Sequence, residues 1–263
     1  MKYENIPGVP DFICDEYENK LTKYCILIPI INEGKRIIKE LYRARNNEVD
    51  KLCDIIICDG GSSDGSTQAS KLKKLGVNTL LTKTGAGKQG AQIRMGIWFA
   101  LNRGYEGVIT IDGNNKDSIE DVARFVARLD EGYDFVQGSR FIRGGRAVNT
   151  PLIRYLSVRL IHAPVISLTA GEKFTDTTNA YRAYSKRYLT HPMVKPLRDV
   201  FVTYELLAYL STRASQLQLR TCEVPVTRAY PKKGKVPTKI SFFKGNGNLM
   251  LILIKNFLGF YKA

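Results

Sequence analysis

The amino-acid sequence predicts an α/β domain built on a mixed, mostly parallel, doubly wound sheet with helices on both faces. Three observations carry this. Apolar runs rich in β-branched residues alternate with segments of helical period, joined by short connections, through about residue 140. The runs are continuous rather than alternating, "YCILIPII" at 24–31 and "CDIIICD" at 53–59, as expected of strands covered on both faces. Two of these strands end abruptly in acidic, glycine-containing loops, "CDGGSSDGST" at 58–67 and "IDGNNKDS" at 111–118. Ligands of open α/β sheets bind beyond the carboxyl ends of the strands, so both loops are expected to face one crevice.

Taken in order, residues 1–22 are polar, with Pro7 and Pro10, and read as a surface arm. The strand at 24–31 is followed by a helix in "EGKRIIKELYRARN" (33–46), and the strand at 53–59 by a helix over 66–75. "NTLLTK" (78–83) is a third strand, and "GAQIRMGIWFALNRG" (90–104) a helix that Gly104 closes. "GVITID" (107–112) is a fourth strand, "SIEDVARFVARLDEG" (118–132) a helix, and "YDFVQGSR" (133–140) a fifth strand. After 141 the organisation changes. Arginines punctuate the apolar segment "PLIRYLSVRLIHAPVISL" (151–168), and "FTDTTNAYRAYS" (174–185) follows it. A helix around "FVTYELLAYLSTRA" (201–214), the strand "LQLRTCEVPVTRAY" (217–230), a lysine-rich loop and a final apolar helix complete the chain.

A formal net charge of +15 favours anionic partners such as phosphorylated small molecules, nucleic acid or acidic lipid. With 44% hydrophobic and 25% charged residues among 263, the chain is globular, not disordered. The five cysteines include no CxxC pair, which argues against a zinc site or disulfide framework and for buried thiols in a reducing cytoplasm. The N-terminus lacks a signal-peptide core, and the longest apolar run, 249–254, is too short to span a bilayer.

Asp112, leaving the fourth strand into Gly113 and Asn114, carries the chemistry best. Oxygen donors one residue apart at a strand end suit a hard divalent cation; an Asx turn, in which the side chain caps its own backbone, is the structural alternative. Asp59 is placed to accept hydrogen bonds from a ribose or base, or else belongs to a plain turn capped by Ser62, Ser63 or Asp64. Asn32 and Glu33 repeat the polar strand exit, and Asp117-Ser118 reads as a helix start. "TGAGKQG" fails the Walker pattern at Thr82 and Gln89; Lys88 there either touches phosphate or is solvated. Arg140, Arg182 and Arg228 suit phosphate oxygens, as do Lys232, Lys233, Lys235 and Lys239, though a lysine run is equally a solvated loop.

"LIPIINE", "IIICDGGSSDGST", "GKQGAQIRMG", "VITIDGN", "VQGSR", "TDTTNAYRAYS", "TYELLAYL" and "EVPVTR" stand in the order and spacing of family 2 glycosyltransferases. The chain resembles the dolichol-phosphate mannosyltransferases and related polyprenyl-phosphate sugar transferases over roughly residues 23 to 245. The resemblance implies a GT-A fold and inverting transfer of a sugar from a nucleotide-sugar donor (GDP- or UDP-sugar) with Mg2+ or Mn2+. It divides the chain into an arm (1–22), a nucleotide-sugar half (23–140), an acceptor half (141–245) and an apolar helix (246–263). It places Pro29, Asn32, Glu33 and Asp59 at the nucleoside, Asp112 and Asn114 at the metal, Arg140, Arg182 and Arg228 at phosphates, and Glu205 near the reaction. Three departures stand out: Asn114 replaces a second acid, Lys116 a frequent Gln, and Gly60 the second aspartate of the usual "DDGS".

The acceptor decides whether a base is needed. A lipid phosphate is ionised and attacks unaided, whereas a saccharide hydroxyl needs a carboxylate, for which Asp176 and Glu205 are the candidates. With a phosphate acceptor those two are expected to orient arginines. Segments 151–168 and 248–261 are expected either to lie at an anionic membrane interface on the cytoplasmic face or to pack as ordinary helices. A nucleotidyltransferase and a nucleic-acid-binding module are the remaining alternatives. "PIINEGKR" is a poor nucleotide clamp and no nucleic-acid motif is present, so no nucleic-acid partner is expected.

Overall fold

The computed structural model describes residues 1–232 and 242–262. Strands β1 (Lys2–Tyr3), β2 (Phe12–Glu16) and β3 (Tyr24–Ile30) lead into α1 (Lys35–Asn46) and the single turn α2 (Val49–Leu52). β4 (Cys53–Asp59), α3 (Ala69–Lys74), β5 (Val77–Lys83), α4 (Gln89–Asn102) and β6 (Gly107–Thr110) continue the alternation. A 3-10 turn at Ile119–Asp121 precedes α5 (Val122–Asp130) and β7 (Phe135–Ser139). Then come β8 (Arg146–Val148), α6 (Leu152–Ser157), a π-helical turn (Val158–His162), α7 (Ala163–Ala170), β9 (Arg182–Ser185) and the turn α8 (Lys186–Leu189). α9 (Glu205–Gln216), β10 (Thr221–Pro225), β11 (Thr227–Ala229) and α10 (Phe242–Phe257) follow.

Nine strands form one sheet in the order β1-β2-β5-β4-β3-β6-β9-β7-β10. All but β2 and β9 run in one direction. β3 and β4 are buried along their whole length, which is why their sequences are unbroken apolar runs. Alternate side chains serve opposite faces. Cys25 and Leu27 join the core shared with α4 and α9, while Ile26, Ile28 and Ile30 join the one shared with α1 and α5. Each such side chain stabilises the fold by roughly 1.5–3 kcal/mol. Gly96 lets α4 lie directly on the sheet, since a Cβ there would sit 2.7 Å from Leu27 Cδ1 and 2.8 Å from Cys58 Sγ.

One expectation needs correction. Residues 1–22 do not form a surface arm: β2 pairs antiparallel with β5 and extends the sheet, with β1 outside it. Phe12 and Cys14 point inward while Ile13 and Asp15 point out, a two-residue period that the surrounding prolines and charges obscure. Phe12 stacks on Tyr3 at 4.8 Å and meets Trp98 edge-on at 5.9 Å. Residues 174–185 contribute only the short β9, which inserts antiparallel between β6 and β7.

A second sheet pairs β8 with β11 in parallel and sets Arg228 opposite Ala147. It follows directly on β10, so it caps the carboxyl edge of the main sheet. Among the described residues no helix is long and apolar enough to cross a membrane.

Candidate active site

β3, β4, β5 and β6 all end at one edge, where Ile30 lies opposite Asp59 and Asp59 opposite Thr82. Gln92 of α4, overlooked in the sequence, ties this edge together by donating to the carbonyls of Ile30 (2.6 Å) and Cys58 (2.7 Å).

The loop after β4 closes on itself. The Asp59 carboxylate accepts from the amides of Gly61 (3.1 Å) and Ser62 (2.9 Å) and from the Ser62 hydroxyl (2.5 Å). That is the turn alternative realised, with Ser62 as the residue Asp59 holds. Asn32, at φ 49°, accepts from the Ser63 amide at 2.8 Å and so ties the β3 exit to the same loop. Glu33 holds Arg36 at 2.7 Å. Pro29 is buried inside β3, and Lys88 is exposed just before α4. Asn32, Asp59 and Ser62 together brace the exits of β3 and β4, and the Asp59 oxygens are turned toward the protein. Lys235 lies outside the described residues.

The loop after β6 gathers partners from afar. Asp112 Oδ1 accepts from Gln89 Nε2 (3.2 Å), and Oδ2 accepts from Arg228 Nη2 (3.1 Å) and Asn114 Nδ2 (3.3 Å). Gly113 has no room for a side chain, since a Cβ would lie 2.5 Å from Ile30 Cγ2. From behind, Glu40 accepts the Asn115 amide at 2.7 Å, and Arg43 holds Asn115, the Asp117 carbonyl and Glu120. The helical segment starts where Asp117-Ser118 predicts it, with Ser118 just before the 3-10 turn, but Asp117 is also fully buried and ion-paired with Arg228. Burial alone would raise the Asp112 carboxyl, but Arg228 and then Lys116 outweigh it and hold it below the usual carboxylate range. Lys116 is buried beside Arg228 and pushed down to about 8.

Tyr230, two residues past Arg228, is the hub that sequence reading missed. Lys116 Nζ lies 5.3 Å from its ring centroid, Arg154 5.8 Å and Arg228 5.9 Å. Burial would raise its phenol, yet Arg228, Arg154, Arg140 and Lys116 together draw it down. Four cations from four separate stretches of chain therefore converge at one point beside Asp112. Tyr204 borders it too: burial and the Asp112 charge push its phenol up to about 12.

Neither candidate base is poised to take a proton. Asp176 is fully buried and grips Arg140 with both oxygens, at 2.6 and 2.9 Å. Glu205, first residue of α9, accepts from the amide (2.5 Å) and hydroxyl (2.8 Å) of Thr203. Arg182 is corrected outright. Its guanidinium donates to the carbonyls of Asn179, Leu207 and Thr177 at 2.7–2.9 Å, which makes it a structural strut, not a phosphate ligand.

A mostly parallel sheet with an aspartate and a cluster of cations past its carboxyl edge has the GT-A architecture. The sequence matches Glycosyl transferase family 2 over residues 25–191, more than half the chain. The chain belongs to that family and is a glycosyltransferase. Over 206 residues it is 28% identical to the undecaprenyl-phosphate mannosyltransferase of Micrococcus luteus, covering 76% of this chain and 81% of the relative. Over 205 residues it is 25% identical to the polyprenol monophosphomannose synthase of Mycolicibacterium smegmatis, covering 77% and 76%. Its fold is shared with glucosyl-3-phosphoglycerate synthase of Mycobacterium tuberculosis, crystallised with Mn2+, UDP and glucosyl-3-phosphoglycerate; the TM-score is 0.56 at 18% identity, over 90% of this chain and 78% of that one.

The expectation of Mg2+ or Mn2+ at Asp112 and Asn114 meets a donor set that does not fit it. Divalent cations of this kind take several oxygen ligands. Here Asn114 turns its amide nitrogen to Asp112 and its oxygen to the Lys116 amide (3.3 Å), in an Asx turn. Both Asp112 oxygens already accept from cationic or amide donors. Among the described residues no group of three His, Cys, Asp or Glu side chains is arranged to hold a metal.

Proposed function

We propose that this enzyme transfers a sugar from a GDP- or UDP-sugar to a polyprenyl phosphate, with inversion at the anomeric carbon. The observation that carries the reading is the convergence of Lys116, Arg140, Arg154 and Arg228 on Tyr230 beside Asp112. Arginine forks and an ammonium group in a buried setting suit a diphosphate that leaves and a phosphate that attacks. In the reaction an acceptor phosphate oxygen forms a bond to the anomeric carbon while the bond to the diphosphate oxygen breaks. The electron pair goes to the departing nucleoside diphosphate. Cations aimed at that growing charge lower the barrier.

The state of the two candidate bases favours a phosphate acceptor over a saccharide hydroxyl. Asp176 is committed to Arg140 and Glu205 to Thr203, so neither candidate is arranged for proton abstraction. The names of the Micrococcus and Mycolicibacterium relatives, an undecaprenyl-phosphate mannosyltransferase and a polyprenol monophosphomannose synthase, support the same choice.

Access to a lipid acceptor comes through a peripheral membrane contact. The stretch from α6 through α7 exposes Leu152 and Leu168 at 71% each and Leu160 at 69%, interspersed with Arg154 and Arg159. Leu258 and Phe260 are exposed just past α10, which packs on α7. Apolar side chains with arginines between them suit the interface of an anionic bilayer.

The test is a thermal-shift screen of GDP-, UDP-, CMP- and dTDP-sugars, followed by incubation with polyprenyl phosphate in anionic vesicles and mass spectrometry of the lipid. The expected result is stabilisation by one nucleotide class and a lipid-phosphate-linked sugar product. Stabilisation by none of them contradicts the reading. Transfer only to a saccharide, with a large loss of chemical rate in Asp176→Asn or Glu205→Gln, would establish the hydroxyl-acceptor alternative.

A further inference from the structure

Two, four and six residues past the end of β6 stand Asp112, Asn114 and Lys116: one carboxylate, one amide and one ammonium. The carboxylate is met by a second protein cation. Arg228 donates to Asp112 Oδ2 at 3.1 Å and is braced from behind by the fully buried Asp117. The main-chain bridge between Asp117 and Arg228 fixes the arginine's strand to the loop, and its contacts with Asp112 and Asp117 hold the guanidinium there. Lys116 and Arg228 flank the same ring of Tyr230, at 5.3 and 5.9 Å. A divalent ion at Asp112 would have to enter between two like charges and displace a guanidinium held on two carboxylates.

We propose that Arg228 and Lys116, gathered on Asp112, themselves supply the double positive charge that would otherwise come from a divalent cation, so that the nucleoside diphosphate is bound and expelled without a metal ion. This rests on the glycosyl-transfer reading above. In the transition state the bond from the anomeric carbon to the diphosphate oxygen breaks and its electron pair stays on that oxygen. The Arg228 fork and the Lys116 ammonium take up the new charge as hydrogen-bond donors, and no proton needs to move. Asp112 is then a positioning residue, since it holds the two cations in register instead of ligating a metal.

The experiment uses the full chain, stripped with excess EDTA and exchanged into chelator-treated buffer. Binding of GDP and UDP is measured by calorimetry in EDTA, in Mg2+ and in Mn2+, alongside transfer from the matching nucleotide sugar to polyprenyl phosphate. The expected result is nucleotide affinity and turnover in EDTA within about twofold of the values with metal, since the protein's own donors supply the electrostatic stabilisation. In Lys116→Gln, metal-free affinity should fall by about tenfold or more and recover in part with Mn2+, as the oxygen of the new side chain replaces a charge with a ligand. The wild-type comparison needs no variant and stands even if Lys116→Gln does not fold. Nucleotide binding or transfer that is lost in EDTA and restored by a divalent ion overturns the proposal while leaving the function intact. Failure to bind either nucleotide with or without metal overturns the function, and the proposal with it.

Discussion

Asp59 and Asp112 stand at the exits of the two parallel strands that flank β3, each followed by glycine and short polar residues, and they do opposite things. Among the described residues, every hydrogen-bond donor to the Asp59 carboxylate lies within three residues of it. Asp112 draws its main partners from 23 and 116 residues away. One carboxylate shapes its own turn; the other organises a charged centre out of distant segments. The same local motif therefore carries either job, and what decides between them is which elements the topology delivers to the loop.

The largest expected effect separates the two directly. Asp112→Asn removes the charge that registers Arg228 and Lys116 and should lower turnover by about 10²–10³-fold, with the melting temperature little changed. Asp59→Asn should lower turnover by less than about tenfold and act mainly on stability, by about 1–3 kcal/mol, as its loop loses charge-assisted hydrogen bonds. Equal losses of turnover in the two variants would erase the distinction. Arg140→Lys comes next. It keeps the charge but loses the two-pronged grip on Asp176, and turnover should drop by about tenfold to a hundredfold in steady-state assays.

Glycines sharpen the contrast on the stability side. A Cβ at Gly113 would press on the Ile30 and Ile28 side chains of the buried strand β3 at 2.5 and 3.0 Å, so Gly113→Ala should cost about 1–3 kcal/mol in urea unfolding. At Gly60 the nearest neighbour is the amide of the Gln92 side chain at 3.1 Å, and Gly60→Ala should cost less.

Asp134 is the control at the other edge of the sheet. It too is buried with distant partners, accepting from Ser185 and Arg187 at 2.6–2.8 Å, but it lines an open cavity with Gly132 and Lys186 at the amino end of β7, away from the Asp112 corner. Burial would raise its carboxyl, and Arg187 and Ser185 outweigh that and hold it below the usual range. A carboxylate depressed in the folded state stabilises at pH values above its unfolded pKa of about 3.9 and loses that contribution as pH falls through the folded value. Wild type should therefore lose stability below about pH 4 more steeply than Asp134→Asn, by a difference on the order of 1 kcal/mol, with turnover at neutral pH unaffected by the substitution.

The contrast also explains how much could be read without a structure. The parallel core was legible because β3 and β4 are buried on both faces and leave an unmistakable apolar run. β2 was not, because its inward residues number two and sit among charges. Asp112, Arg140 and Arg228 could be singled out by residue type, and the structure brings Arg228 onto Asp112. The meaning of Arg182 was not, because nothing local distinguishes a guanidinium that binds carbonyls from one that faces a ligand. Tyr230 and Tyr204 looked like ordinary aromatics. Only the cap formed by β8 and β11, and the N-terminus of α9, bring them to Asp112.

The most direct measurement is a crystal structure of the enzyme soaked with the nucleotide sugar that stabilises it. The diphosphate should lie against the Arg228 fork and the Lys116 ammonium at the Asp112 corner, with the sugar facing Arg140. A diphosphate lodged elsewhere, with Arg228 still closed on Asp112 and Asp117, would contradict the assignment of this corner as the centre of the reaction.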